Sequence, residues 1–168
     1  MAEALNMDIK QAIQANLAAS DFLVQGYLAD LTDAELLVRP CKGANHIAWQ
    51  LGHLIAAERY LVEQAAPGKM PPLPEGFAER HKKETASLDD AKAFLTKAEY
   101  LALAKQVRAA ALDVVGSMPE VDFDKPVTKV PPFIKTAGEL FLFLGPHWTM
   151  HAGQWAVTRR ALGRPPLF

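Results

Sequence analysis

The tetrapeptide pattern Thr-x-x-Glu stands in front of three segments of this chain, as Thr32-Asp33-Ala34-Glu35, Thr96-Lys97-Ala98-Glu99 and Thr136-Ala137-Gly138-Glu139. It is the signature of a capping box. The Thr hydroxyl accepts the backbone N–H of the third helical residue, and the Glu carboxylate reaches back to the cap. Behind the second and third boxes, apolar residues recur at helical spacing for five turns or more. The first box opens a single turn before Pro40. A chain punctuated in this way is built from helices.

Four long helices are expected. The first runs from about Asp8 to Leu28, with Ile9, Ala12, Ile13, Leu17, Ser20, Val24 and Tyr27 on one face and Asn16 and Gly26 beside it. The second starts after Asn45 as its cap and continues to about Gln64, where Pro67-Gly68 stops it. Ile47, Leu51, Leu54, Ile55, Glu58 and Val62 trace its inner stripe; His46, Trp49, Gln50, His53 and Ala57 trace the next. The third extends from the Thr96 cap to about Ser117, and places Arg108 near its inner face, where it needs a partner such as Glu58 or a ligand anion. The fourth carries Leu140, Leu144, His147, His151, Trp155 and Thr158 on one face, and Gly163 and Pro165 close it.

Two long connections join these helices. Pro67 to Ala86 is rich in Pro, Gly and charge, long enough to cross the end of a bundle, and its His81, set among Arg80, Lys82 and Lys83, is expected in solvent. Ser87-Leu88-Asp89-Asp90 opens a short helix ending near Leu95. Pro119 to Lys135 is the second connection, with an extended stretch at Val127–Val130. The fold class is therefore all-α, a four-helix bundle with long connections between the second and third and between the third and fourth helices, in one domain spanning 1–168.

Composition narrows the function classes. With half of the residues hydrophobic and a net charge of −1, neither a disordered tail nor an electrostatically driven nucleic-acid binder is indicated. No apolar run reaches the roughly 18 residues of a membrane span, and Met1 to Asp8 shows no basic stretch leading into an apolar one, so no secretory signal is expected. The single cysteine, Cys41, suits a reducing cytosol. It reads as a free loop thiol; a metal ligand or nucleophile at that position is the less favoured alternative.

The chemistry sits in His147-Trp148-Thr149-Met150-His151. Histidines four residues apart lie one turn apart on one helix face, their Cβ atoms about 6 Å from each other. That spacing suits two imidazoles on one metal ion, although without further donors it is equally a pair of ordinary helix residues. Pro146, just before the pair, cannot donate to the carbonyl of Leu142. It either curves the helix around the core or aims His147 and leaves that carbonyl free. His53, mid-helix at the edge of the buried face, is the further candidate.

Trp49-Gln50-Leu51-Gly52-His53-Leu54 and His147-Trp148-Thr149-Met150-His151-Ala152-Gly153-Gln154, in this order and separation, resemble the DinB-like (YfiT-like) family of metal-dependent proteins. The ending Arg159–Pro166 is similar to that of one branch, and the resemblance covers nearly the whole chain. It implies a metal site made by His53, His147 and His151, with Pro146 standing where many members carry a helix former. Three neutral imidazoles leave coordination positions open, the arrangement of catalytic rather than structural sites. An ion there lowers the pKa of a bound water or thiol. Imidazole suits several metals; zinc or nickel leads, with iron or manganese next. Partners that fix the imidazoles are expected at Gln50, Gln154 and Glu58, and Gly153 is expected to admit a neighbouring helix.

The resemblance further implies a metal-dependent enzyme, either a transferase acting with a low-molecular-weight thiol or a hydrolase, on a small-molecule substrate. It also implies a homodimer, with Trp148 and the Leu73–Phe77 connector as contact or pocket-wall elements. The alternatives are a non-catalytic, stress-related metal-binding bundle and, less well supported, haem held between two histidines. The family's association with DNA damage finds no support for direct DNA contact in the charge of this chain.

Overall fold

The computed structural model describes residues 7–167; the expectation about the N-terminus lies, for Met1–Asn6, outside them. Six α-helices form: α1 (Ile9–Leu28), α2 (Asp33–Leu36), α3 (Ile47–Ala65), α4 (Phe77–Arg80), α5 (Lys97–Ser117) and α6 (Ala137–Ala161). All three Thr-x-x-Glu boxes are made, at α2, α5 and α6. A fourth closes at α1, where Asp8 is the cap and Gln11 its partner. No strand occurs among the described residues; the stretch expected to be extended, Val127–Val130, forms none, and the isolated bridge joins Pro126, just before it, to Thr136.

The four long helices make the bundle. α1 packs chiefly along α6, and α3 lies against both α5 and α6. Ile13, Leu17, Leu51, Leu54, Ile55, Leu140, Leu144 and Trp155 are buried at the centre. Each such aliphatic side chain contributes roughly 1.5–3 kcal/mol by leaving water. The buried positions of α1, α3 and α6 follow the stripes read from the sequence.

The start of α3 differs from expectation. His46, not Asn45, is its cap: the His46 Nδ1 accepts the N–H of Trp49 at 3.0 Å, and the Nε2–H donates to the Leu88 carbonyl at 3.0 Å. An imidazole serves as a cap when its second nitrogen has a partner of its own, and the chain supplies one from forty residues downstream. Asn45 instead gives its carbonyl to Gln50.

The connection after α3 folds back onto the bundle. It holds α4 and two 3₁₀ turns, the second at Ala91–Ala93 opened by Asp90 rather than by Ser87. Arg39 fastens it, donating to the carbonyls of Ala44, Ala86 and Leu88 and to Asp89. His81 is buried, 2% exposed, and not in solvent. Its Nδ1–H donates to the Phe77 carbonyl and its Nε2 accepts from the Tyr100 hydroxyl, both at 2.8 Å. Gly52 makes room for it: a Cβ there would fall inside the His81 ring.

α6 runs unbroken through Pro146. The Leu142 carbonyl that the proline cannot serve is not left free. Asn16 of α1 donates its side-chain N–H to it at 2.8 Å, and the same amide lies where a Cβ of Gly145 would be. The missing helix bond is therefore replaced from the neighbouring helix. At the far end, buried Arg159 donates to the Tyr27 carbonyl and pairs with Asp30, while Arg164 reaches Glu35 at 2.6 Å. The basic ending ties α6 to α1 and α2. Gly153 is exposed with nothing within 4 Å, so the close approaches occur at Gly52 and Gly145 instead.

Candidate metal centre

Two adjacent helices bring three imidazoles together: His53 from the middle of α3, and His147 and His151 from successive turns of α6. The ring centroids of His53 stand 5.5 Å from those of both His147 and His151, which are 5.2 Å from each other. One nitrogen of each lies within 4.8 Å of the others. Nitrogens about 2.0–2.1 Å from a tetrahedral ion stand roughly 3.4 Å apart, a spacing that small side-chain rotations reach. Among the described residues, no carboxylate and no thiol joins the group, and Cys41 is exposed elsewhere.

The environment keeps the imidazoles neutral, the form that binds metal. Desolvation pushes all three below the ordinary histidine value. His147 and His151 fall to about 4, helped by the neighbouring imidazoles. His151 is 8% exposed; His53 and His147 are half-buried and form the accessible side.

Each ring has a separate support. The Nδ1–H of His151 donates to Gln50 Oε1 at 2.9 Å, and the indole N–H of Trp155 donates to the same oxygen at 3.0 Å. An indole nitrogen only donates, so the Gln50 atom facing it must be the oxygen. That orientation puts the proton on Nδ1 of His151 and leaves Nε2 with its lone pair. The Gln50 amide is itself held, donating to the Asn45 carbonyl at 2.7 Å. His53 stacks on Trp49, 5.2 Å away and nearly parallel. His147 stacks on Phe143 at 5.3 Å, and Phe133 meets Phe143 edge-on.

The other expected partners lie elsewhere. Glu58 is buried, accepting from Arg108 at 2.9 Å and from the indole of Trp148 at 2.6 Å, and it touches none of the three imidazoles. Arg108 has thus found the partner that its position demanded. Gln154 is exposed and makes no hydrogen bond among the described residues, because it lies on the outer side of α6. Sequence reasoning put Trp155 on the histidine face without a role and His81 in solvent, and it missed Tyr100. Gly52, mid-helix beside His53, was the available signal that another group packs closely there.

The fold and the triad define an all-helical bundle with a three-histidine centre. The model of the DinB superfamily matches residues 22–155, a span that includes all three histidines, and the chain belongs to that superfamily. Among solved structures, the chain is similar to a conserved protein from Enterococcus faecalis, with 18% identity and a TM-score of 0.70. The match covers 95% of this chain and 100% of that one, and it shows the shared fold. No curated protein matches.

Proposed function

We propose that this protein is a metal-dependent enzyme acting on a small molecule, with one divalent ion held by His53, His147 and His151. The observation that carries this reading is the donor set: three neutral imidazoles and no anionic ligand. Such a set holds the ion while leaving positions for an exogenous group. Zinc or nickel suits it best, with iron or manganese next. The bound ion supplies a Lewis acid that makes a water or a low-molecular-weight thiol nucleophilic near neutral pH. The protein's own residues do the rest. Gln50 keeps the proton of His151 on Nδ1, Trp49 and Phe143 fix the planes of His53 and His147, and the half-buried side of the triad is where substrate arrives. A thiol transferase and a hydrolase both fit. The proposal includes a homodimer, as the family resemblance implies, in the reducing cytosol that the single cysteine suits.

A second reading, a non-catalytic metal-binding bundle, draws on one observation: a cavity of about 590 Å³ lies between α1 and α5 and not at the imidazoles. The first test is the metal content of untagged protein, wild type and His147→Ala. About one ion per chain, lost in the variant, is expected from the three-ligand set. Absence of metal after reloading with zinc, nickel, iron and manganese would sink the proposal. Cobalt-substituted protein then separates the two readings: a visible spectrum that shifts on adding thiol supports open coordination, and an inert one supports storage.

A further inference from the structure

α1 and α5 diverge. α1 leans on α6 and α5 on α3, and between them opens the 590 Å³ cavity, within the ~300–1,000 Å³ range of small-molecule sites. Val24, Leu101 and Ala104 wall it, Trp148 forms part of its lining, and Asp21 and Arg108 supply polar groups. Arg108 is 6% exposed and faces the Trp148 ring at 5.7 Å. Its Nη2 donates to Glu58 and stands 3.6 Å from Asp21, while its Nε and Nη1 have no partner. Glu58 Oε1, on the same ion pair, has none either. A buried donor or acceptor without a partner is costly, so two such donors on a residue that lines an apolar cavity, with an orphaned acceptor behind them on Glu58, are unusual.

We propose that this cavity is a second ligand site, independent of the metal centre, for an uncharged molecule with an apolar chain or ring and a carboxamide group. The hydrocarbon part fits the Val24, Leu101 and Ala104 walls. The amide carbonyl accepts from Arg108, and the amide N–H donates to Asp21, the carboxylate of the lining. The orphan atoms are shielded from solvent, so the ligand engages them as the Arg108 side chain turns towards the cavity. Charge decides against an anion. The single positive charge of Arg108 already faces two carboxylates, and the other cation of the lining, Lys105, is exposed. A carboxylate ligand adds a third negative charge to a desolvated cluster, whereas an amide satisfies the same hydrogen bonds without one.

The test is calorimetric titration of metal-free, full-length protein with octanamide, octanoate and octylamine. Octanamide is expected to bind one to one, about tenfold or more tighter than octanoate, the span of one hydrogen bond to a charged group. It is also expected to shift the indole N–H resonance of Trp148, a readout that needs no stable variant. Ala104→Phe, which fills the cavity, is expected to abolish binding and leave metal content unchanged. Tighter binding of octanoate or octylamine overturns the amide assignment. Absence of binding by all three overturns the site, whose orphan groups are then served by water alone. Octanamide affinity unchanged in folded Ala104→Phe, or an unmoved Trp148 resonance, overturns the location.

Discussion

Replacing Gln50 by Leu removes one side chain and leaves three groups without their partner. The indole N–H of Trp155, fully buried, loses its acceptor, as does the Nδ1–H of His151; the Asn45 carbonyl loses its donor. An unsatisfied buried polar group costs about 1–3 kcal/mol, and the half-buried Asn45 can turn to water, so the variant is expected to lose roughly 2–4 kcal/mol. For a chain of this size that is a fall in Tm of roughly 5–15 °C. The functional effect is separate. With no acceptor at Nδ1, the proton of His151 is free to move to the nitrogen that should face the ion, and loss of such a support weakens metal binding by about 10–100-fold. Gln50→Glu divides the two effects. It keeps both acceptor bonds but cannot donate to Asn45, so it should lose stability and keep metal affinity. Zinc competition against a chromophoric chelator, paired with thermal unfolding of the metal-free proteins, reads both quantities. Wild-type zinc affinity in folded Gln50→Leu would refute the tautomer argument, and an equal loss in Gln50→Glu would show that shape alone matters at this position.

Asn16→Ala should cost about 1 kcal/mol by leaving the Leu142 carbonyl to solvent, and clearly less once Pro146→Ala restores a backbone N–H at that turn. Urea unfolding of the double-mutant cycle should give a coupling of about 0.5–1 kcal/mol, and strictly additive costs would mean that Asn16 does not replace the missing helix bond. Acid should weaken the metal-free fold, because burial lowers His81, His147 and His151 from 6.5 to about 4. Between those values the unfolded chain binds more protons than the folded one. Stability is then full above about pH 6.5, falls as pH drops and levels off below about 4, with His81 alone contributing about 3 kcal/mol of the loss. Urea midpoints at pH 7 and pH 4.5 measure it, and an unchanged midpoint would contradict the burial of these rings.

The helices were legible because their signals are local. A Thr-x-x-Glu box specifies a start within four residues, and the 3.6-residue period of Ile13, Leu17 and Val24 declares the buried face without reference to any other segment. What the sequence hid depends on segments far apart in the chain. His46 reads as the residue after an Asn cap until Leu88 arrives to take its second nitrogen. His81 reads as one more polar residue in a charged connection until α3 offers the gap above Gly52. The close contact was assigned to Gly153, and nothing along α6 alone distinguishes that glycine from Gly145, which the Asn16 amide needs. Glu58 shows the same limit: its place on the inner stripe was visible, but a carboxylate there serves an imidazole or an arginine according to which helix face opposes it. Arg108 and Trp148 do.

The supports of the triad explain how the three imidazoles stand together at one place in the bundle. Three neutral rings within 6 Å repel far less than charged ones, and desolvation by the surrounding helices ensures that they are neutral at physiological pH. Their orientations come from contacts within the protein: Gln50 for His151, Trp49 for His53, Phe143 for His147. The core beneath them, from Ile13 to Trp155, is likewise independent of the site. Small metal-folded domains differ, because there the binding free energy of the ion is the folding free energy. Here the bundle supplies the fold, so metal binding need not organise the chain. Under the proposed function, the triad can therefore leave coordination positions open to an incoming group, which a site required for folding would have reason to close with a fourth protein ligand.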